Sequence, residues 1–285
     1  MPTHQQIAKL VDAFPSPHPA TGVKGDRPGV LSDADKQAMD ASLAELRAAG
    51  RIAYAGLIDS LVDTDPAKDS KVRHVIGALA IQAGGWSAED RRTLAETLVS
   101  TAQGDRPIEI RSFLIRQVQV CGTKEVAPVL GRLLTDANLA APAAAALLAI
   151  GDGAVEQFRA ALPSASGPAR LACIQALGVL KDSASIESLR QAAVDTDRDV
   201  RCTALWALAN QGDASSVDLL LKAADSSGYE RIELTKACLI LAEALAGAGS
   251  RAEAAKIYGH LRATRTDKSE KYVKEIAERA LAKAS

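Results

Sequence analysis

Aromatic side chains are scarce: phenylalanine, tryptophan and tyrosine together make up 3% of the 285 residues. A core built almost without them must be filled by Ala, Leu, Val and Ile, a palette that favours closely packed helices over sheets. Net charge is lacking too. Lys plus Arg number 34 against 35 for Asp plus Glu, a formal charge of -1, so no global field draws phosphate backbones or anionic lipid to the chain. The expectation is no nucleic-acid partner and no membrane partner. No run approaches the ~20 apolar residues of a membrane span, and the opening MPTHQQIAKLVDAF lacks the apolar core of a signal peptide. That reads as cytoplasmic, or as exported if a leader ahead of this sequence was removed.

Signatures of chemistry are missing as well. Cys121, Cys173, Cys202 and Cys238 stand apart among apolar residues with no CxxC, and His4, His18, His74 and His260 are dispersed. There is no HExxH, no GxSxG and no glycine-rich phosphate loop. The expectation is buried free thiols, no metal, no cofactor, no catalytic residue and no enzymatic activity.

What is present is apolar material, 47% of the chain, enough for a sizeable core, and it recurs with a period. A helix-start motif repeats with its apolar anchor at Val126, Val155, Ile186 and Val217, spaced 29, 31 and 31 residues apart. The segment PARLACIQALGVLKDSASIESLRQAA (168–193) aligns with DVRCTALWALANQGDASSVDLLLKAA (199–224), pairing Arg170 with Arg201, Leu177 with Leu208 and Asp182 with Asp213. Each unit reads as a helix, a loop of the type KDSAS or QGDASS, and a second helix with apolar residues at i, i+3 and i+7. A lone hairpin of this kind leaves an apolar face uncovered, so such units stack into a solenoid.

The stretch DTDRDVRCTALWALANQGDASSVDLL (195–220), with an Asp-rich loop leading into Val-Arg and an Ala/Leu helix ending near Gly-Asp, resembles the short HEAT-like repeat of the phycobilin lyase type. The resemblance runs over about residues 70–225 and implies an all-α, right-handed α-α superhelix of the HEAT/armadillo kind. It departs from the pattern at 139–163, where the arginine position holds Ala or Pro, and at 108–135, where the turn is GTKE. Beyond it, GYERIELTKACLILAEALAGAGSRAEAAKIYGHLRAT looks more like a tetratricopeptide hairpin. The organisation expected is therefore an N-terminal capping part (1–69) with a Pro/Gly-rich loop at 14–31, HEAT-like repeats (70–225), and a C-terminal hairpin and capping helix (226–285).

Local signals place several ends. Ser32 opens a helix to about Ala49 that Gly50 stops, a further helix spans 51–62, and Ser87 with Asp90 forms a capping pair. Trp86 is expected to pack at a hairpin turn, or to anchor an interface if exposed.

Three groups of residues are candidates for more than packing. Asp195, Asp197 and Asp199 imitate the start of a calcium loop, but Val200 stands where Gly is needed and Trp206 where a bidentate Glu is needed, so helix capping is expected. Arg170, Arg201 and Arg111 share a repeat position and are expected to bond a loop carboxylate or carbonyl of the adjacent repeat. On the second helices, Glu156, Glu187 and Asp218 follow the apolar anchors, with Arg159, Arg190 and Lys222 one turn on. Within-helix pairs Glu156–Arg159 and Glu187–Arg190 are expected, and these six residues form the candidate protein-binding surface. The function expected is a non-enzymatic scaffold or adaptor for a protein or peptide. The alternatives are a bilin lyase-like enzyme, which the resemblance implies, and a HEAT-like DNA-binding protein of the alkylpurine glycosylase type.

Overall fold

The computed structural model describes residues 3–15, 32–62 and 68–284. Among them are sixteen α-helices, five short 3-10 turns and no strand, the all-α class expected. Residues 16–31, most of the Pro/Gly-rich stretch, and 63–67 lie outside the described residues. The helices cluster into two compact units, Met1–Gln157 and Phe158–Ser285. That division falls inside the repeat segment, at neither of the boundaries suggested by sequence character.

The first unit opens with α1 (His4–Ala13), closed at its start by a reciprocal capping box between Thr3 and Gln6. It continues with α2 (Asp33–Ala49), α3 (Arg51–Asp59), α4 (Ser70–Gln82), α5 (Ala88–Ala102), α6 (Ile108–Cys121), α7 (Ala127–Leu133) and α8 (Ala140–Ile150). Ser32 and Asp35 form the capping box of α2, and Gly50 ends that helix at φ +58. The helix after it stops at Asp59, three residues short of the expected end. Two layers result: α2, α4, α6 and α8 pack in order as the first helices of successive hairpins, and α3, α5 and α7 pack in order as the second.

Ser87 caps α5 by accepting the Asp90 amide at 3.2 Å. The reciprocal bond of a full box is replaced, because the Asp90 carboxylate is taken by Arg47 of α2 at 2.5 and 3.0 Å. The same Arg47 lies 5.0 Å over the half-buried Trp86 ring. Helix α9 (Ala154–Ala161) straddles the division between the units, with Ala154 and Phe158 fully buried.

In the second unit the period is explicit. Helix α12 (Arg198–Gln211) repeats α10 (Gly167–Val179) at an offset of 31 residues, and α13 (Val217–Ala224) repeats α11 (Ile186–Ala192) at the same offset. Each second helix is preceded by a 3-10 turn, Ser183–Ser185 or Ala214–Ser216. Helices α14 (Gly228–Gly247) and α15 (Arg251–Thr264) add a longer hairpin, and α16 (Lys271–Ala284) packs on α15. The first helices α10, α12 and α14 lie side by side. Their facing residues Ile174, Leu177, Leu205, Leu208 and Leu241 are fully buried, each contributing about 1.5 to 3 kcal/mol by leaving water. Gly178 makes the closest approach possible: a Cβ there would sit 2.7 Å from Ala207 and 3.1 Å from the Trp206 ring.

Candidate interaction surface

The six residues singled out on the second helices occupy both units. Glu156 is exposed and belongs to the first; Arg159, Glu187, Arg190, Asp218 and Lys222 belong to the second. The within-helix pairing is corrected by the geometry at Arg190. Its guanidinium reaches Asp213, 23 residues on, at 2.8 Å, and also touches Ser215 and Ser216. Arg159 makes the same link one repeat earlier, forking Asp182 at 2.6 and 3.0 Å. The physical reason is the loop. Asp182 and Asp213 start the 3-10 turns and are mostly covered, so a planar fork there gains two charge-assisted bonds where an exposed Glu one turn away would gain a few tenths of a kcal/mol. The Arg159 bond holds the Asp182 carboxyl below its ordinary range. At Asp213 burial pushes the other way, and bonds from Ser215, Ser216 and Arg190 outweigh it, with the same net direction. Glu187 and Lys222 stay exposed without an ion pair among the described residues, and Asp218 meets Lys256 of α15 at 2.5 Å.

The recurrent arginines of the first helices are also stacking links. Arg170 meets Asp195 at 2.7 Å, and Arg201 donates to the Asp195 and Thr196 carbonyls and forks Glu230. In the first unit Arg111 donates to the Ala102 carbonyl and lies 3.7 Å from Asp136. Asp195, Asp197 and Asp199 serve the backbone: Asp195 accepts the Asp197 amide, and Asp197, the N-cap of α12, accepts those of Asp199 and Val200. Among the described residues no three His, Cys, Asp or Glu side chains group as metal ligands would. The four cysteines are buried and free. Burial pushes the thiols of Cys121 and Cys238 up to about 12 and that of Cys173 to about 11.

A different face carries exposed apolar surface. In the first unit Ile81, Val120 and Leu148 stand out from α4, α6 and α8; in the second, Val179 stands out from α10, and Tyr229 and Ile232 from α14. Among the described residues α7, α9, α11 and α13 expose no large hydrophobic side chain. Exposure is not confined to the first-helix layer, since Ile52 of α3, Val194 after α11 and Tyr272 of α16 are exposed as well, but six of these nine side chains lie on first helices. In the second unit this exposure borders a cavity of about 290 Å³ between α10, α12 and α14, lined by Gln175, Thr203, Trp206, Tyr229, Glu233 and Lys236 among others. Tyr229 is 57% exposed and Ile232 53%. Arg198 lies 5.2 Å over the Tyr229 ring, and Glu233 pairs with Lys236 at 2.7 Å. Sequence reasoning missed this site. Trp206 and Tyr229 are 23 residues apart and share no motif, and only their scarcity in so aromatic-poor a chain could have marked them.

Helical hairpins stacked in two layers define a helical-repeat protein, and the likeness to known proteins agrees. Residues 155–238, less than a third of the chain, match HEAT repeats. No curated protein matches the chain. Among solved structures it is similar to human deoxyhypusine hydroxylase in complex with glycerol, with 16% identity over 98% of this chain and 97% of that one, at a TM-score of 0.33. It is also similar to the CpcE–CpcF complex of phycocyanin lyase from a Nostoc species, with 15% identity over 95% and 100%, at 0.34. An engineered protein shares 23% identity over 98% and 96%, at 0.30. The expectation that the chain is not an enzyme is corrected here: a hydroxylase and a lyase stand among its structural neighbours.

Proposed function

We propose that the chain is a protein-binding repeat module whose second unit takes a partner segment on the α10–α12–α14 face. One observation carries this reading: Tyr229, more than half exposed, lines the cavity at Trp206, and Ile232, exposed to a similar degree, lies one turn further along α14. Aromatic and aliphatic groups left in water beside a concavity are what an interface core requires, and a stacked Arg–Tyr pair such as Arg198 and Tyr229 supplies the residue types that dominate binding energy. The test begins with a photoreactive benzoylphenylalanine at position 229, which cross-links the partner in the native cell extract. The purified partner is then titrated against Tyr229→Ala and Ile232→Asp. We expect each to leave the melting temperature within about two degrees, as exposed positions do. Affinity should fall roughly 30-fold, corresponding to about 2 kcal/mol for a central anchor.

A second reading keeps the α11–α13 surface, because Glu187 and Lys222 are exposed and uncommitted there. It would be the correct one if Glu187→Lys with Lys222→Glu removed binding while Tyr229→Ala did not. Glu156 on α9 would then be tried separately within the first unit.

A further inference from the structure

The end of the second unit carries a cleft of about 450 Å³ bounded by α14, α15 and α16. Its floor is apolar and shallow, made by Ala246, Ala254, Ala280 and Ile276 with the buried Tyr258. Its rim is cationic: Arg251 opens α15, and Arg279 and Lys283 lie one turn apart on α16, against the single carboxylate of Glu243. These cations differ from most of the unit's arginines, although Arg262, outside the cleft, also has no ion pair among the described residues. Of its ten arginines, seven fork or touch a carboxylate: Arg159, Arg170, Arg190, Arg198, Arg201, Arg231 and Arg265. Arg251 and Arg279 have no ion pair among the described residues; the one bond Arg279 makes is to the carbonyl of Glu275 on its own helix. Lys283 has none either.

Within this unit a guanidinium beside a packing seam is answered by an Asp or Glu from the next loop. At the cleft two guanidinium forks and a lysine face one carboxylate, Glu243, and neither fork is paired with it. We propose that this cleft binds an acidic peptide segment of another protein, with carboxylates on either side of an aliphatic residue. The carboxylates would be taken by Arg251 and Arg279, whose planar forks match a carboxylate bidentately, with the Lys283 ammonium adding a point charge beside them. The aliphatic side chain would lie on the alanine floor, whose volume is that of a small-ligand site and too small for a folded element. The charge excess on the rim sets the sign of the ligand, and the apolar floor distinguishes it from a simple polyanion. The site is separate from the Tyr229 face and does not depend on it.

The test is fluorescence anisotropy of a labelled peptide of about seven residues, Glu and Asp flanking a central Leu, titrated with the full chain. The expected result is saturable binding that Arg251→Glu combined with Arg279→Glu weakens at least about tenfold. Raising salt from 0.1 to 1 M should weaken it too, as the screening length drops from ~10 to ~3 Å. Replacing the central Leu by Ser should cost several-fold, and Tyr229→Ala should leave binding unchanged, which separates this site from the first. Circular dichroism and melting temperature check that the charge reversals fold, and Lys283→Glu alone, on the last helical turn, provides a second and milder variant. The proposal is overturned by no saturable binding up to millimolar protein, by unchanged affinity in both charge-reversal variants, by equal affinity for the Leu and Ser peptides, or by a single-stranded oligonucleotide binding more tightly than the peptide.

Discussion

At the level of single residues, the two best-matched repeats differ where one helix ends. Gly212 closes α12 in the left-handed region at φ +72, and its counterpart 31 residues earlier, Lys181, holds φ +52. Only glycine occupies that region without a steric cost, which for other L-residues is about 1 to 2 kcal/mol. Lys181→Gly is therefore expected to stabilise the protein by about 0.5 to 1 kcal/mol once glycine's greater unfolded-state freedom is deducted, measured as a shift in urea midpoint. Gly212→Lys should move it the other way. No change in either would mean that the Asp182 and Asp213 turns impose the backbone whatever residue stands there. Arg265 is a residue that sequence reasoning left unremarked. It is fully buried, donates to Thr235, Thr264 and the Ala224 carbonyl, and lies 3.6 Å from Glu270, which Arg231 also forks. Nothing in RATRTDKSE tells Arg265, which is buried, from Arg262, which is exposed; burial was decided by α13 and α14 closing over one of them.

At the level of elements, the seam between consecutive second helices is held by Arg159–Asp182 and Arg190–Asp213. Truncating Arg190 to Met leaves the largely covered Asp213 carboxylate without its cation and is expected to cost about 1 to 3 kcal/mol in urea unfolding. The pH dependence follows from the direction of the shifts. Both carboxyls titrate below 3.8 in the folded protein, so the unfolded chain takes up protons first on acidification. Their contribution is full above 3.8 and is lost as pH falls through the lower native values. The stability difference between wild type and Arg190→Met should accordingly be constant from pH 7 down to about 5 and shrink toward pH 3. A difference that grew in acid would refute this account of the seam.

At the level of the whole molecule, repeats that touch mainly their neighbours make stability a sum of local terms. The two tryptophans report separately, since Trp86 lies in the first unit and Trp206 in the second. Arg265→Met breaks a buried charged network in the second unit, a loss of about 3 to 5 kcal/mol. Followed in Trp86→Phe and Trp206→Phe backgrounds, the midpoint seen by Trp206 should fall more than that seen by Trp86. Coincident shifts would mean that the chain unfolds as one cooperative body.

What the amino-acid order determined by itself is local. The 31-residue hairpin period, the helix start at Ser32, the Asp-rich cap before α12 and the all-α class were all readable because a helix is written in residues three or four apart and in the few around its ends. What only the tertiary structure decided is which side of each helix its neighbours left uncovered. Arg190 could have paired within its own helix, and both it and Arg159 cross to the next loop. The apolar exposure could have lain on either layer and falls mostly on the first helices. Trp206 and Tyr229 meet at one cavity because Gly178 lets α10 and α12 approach and α14 stacks beside them. Those outcomes depend on contacts between residues tens of positions apart, where small differences in burial select one partner among several that the sequence offers equally.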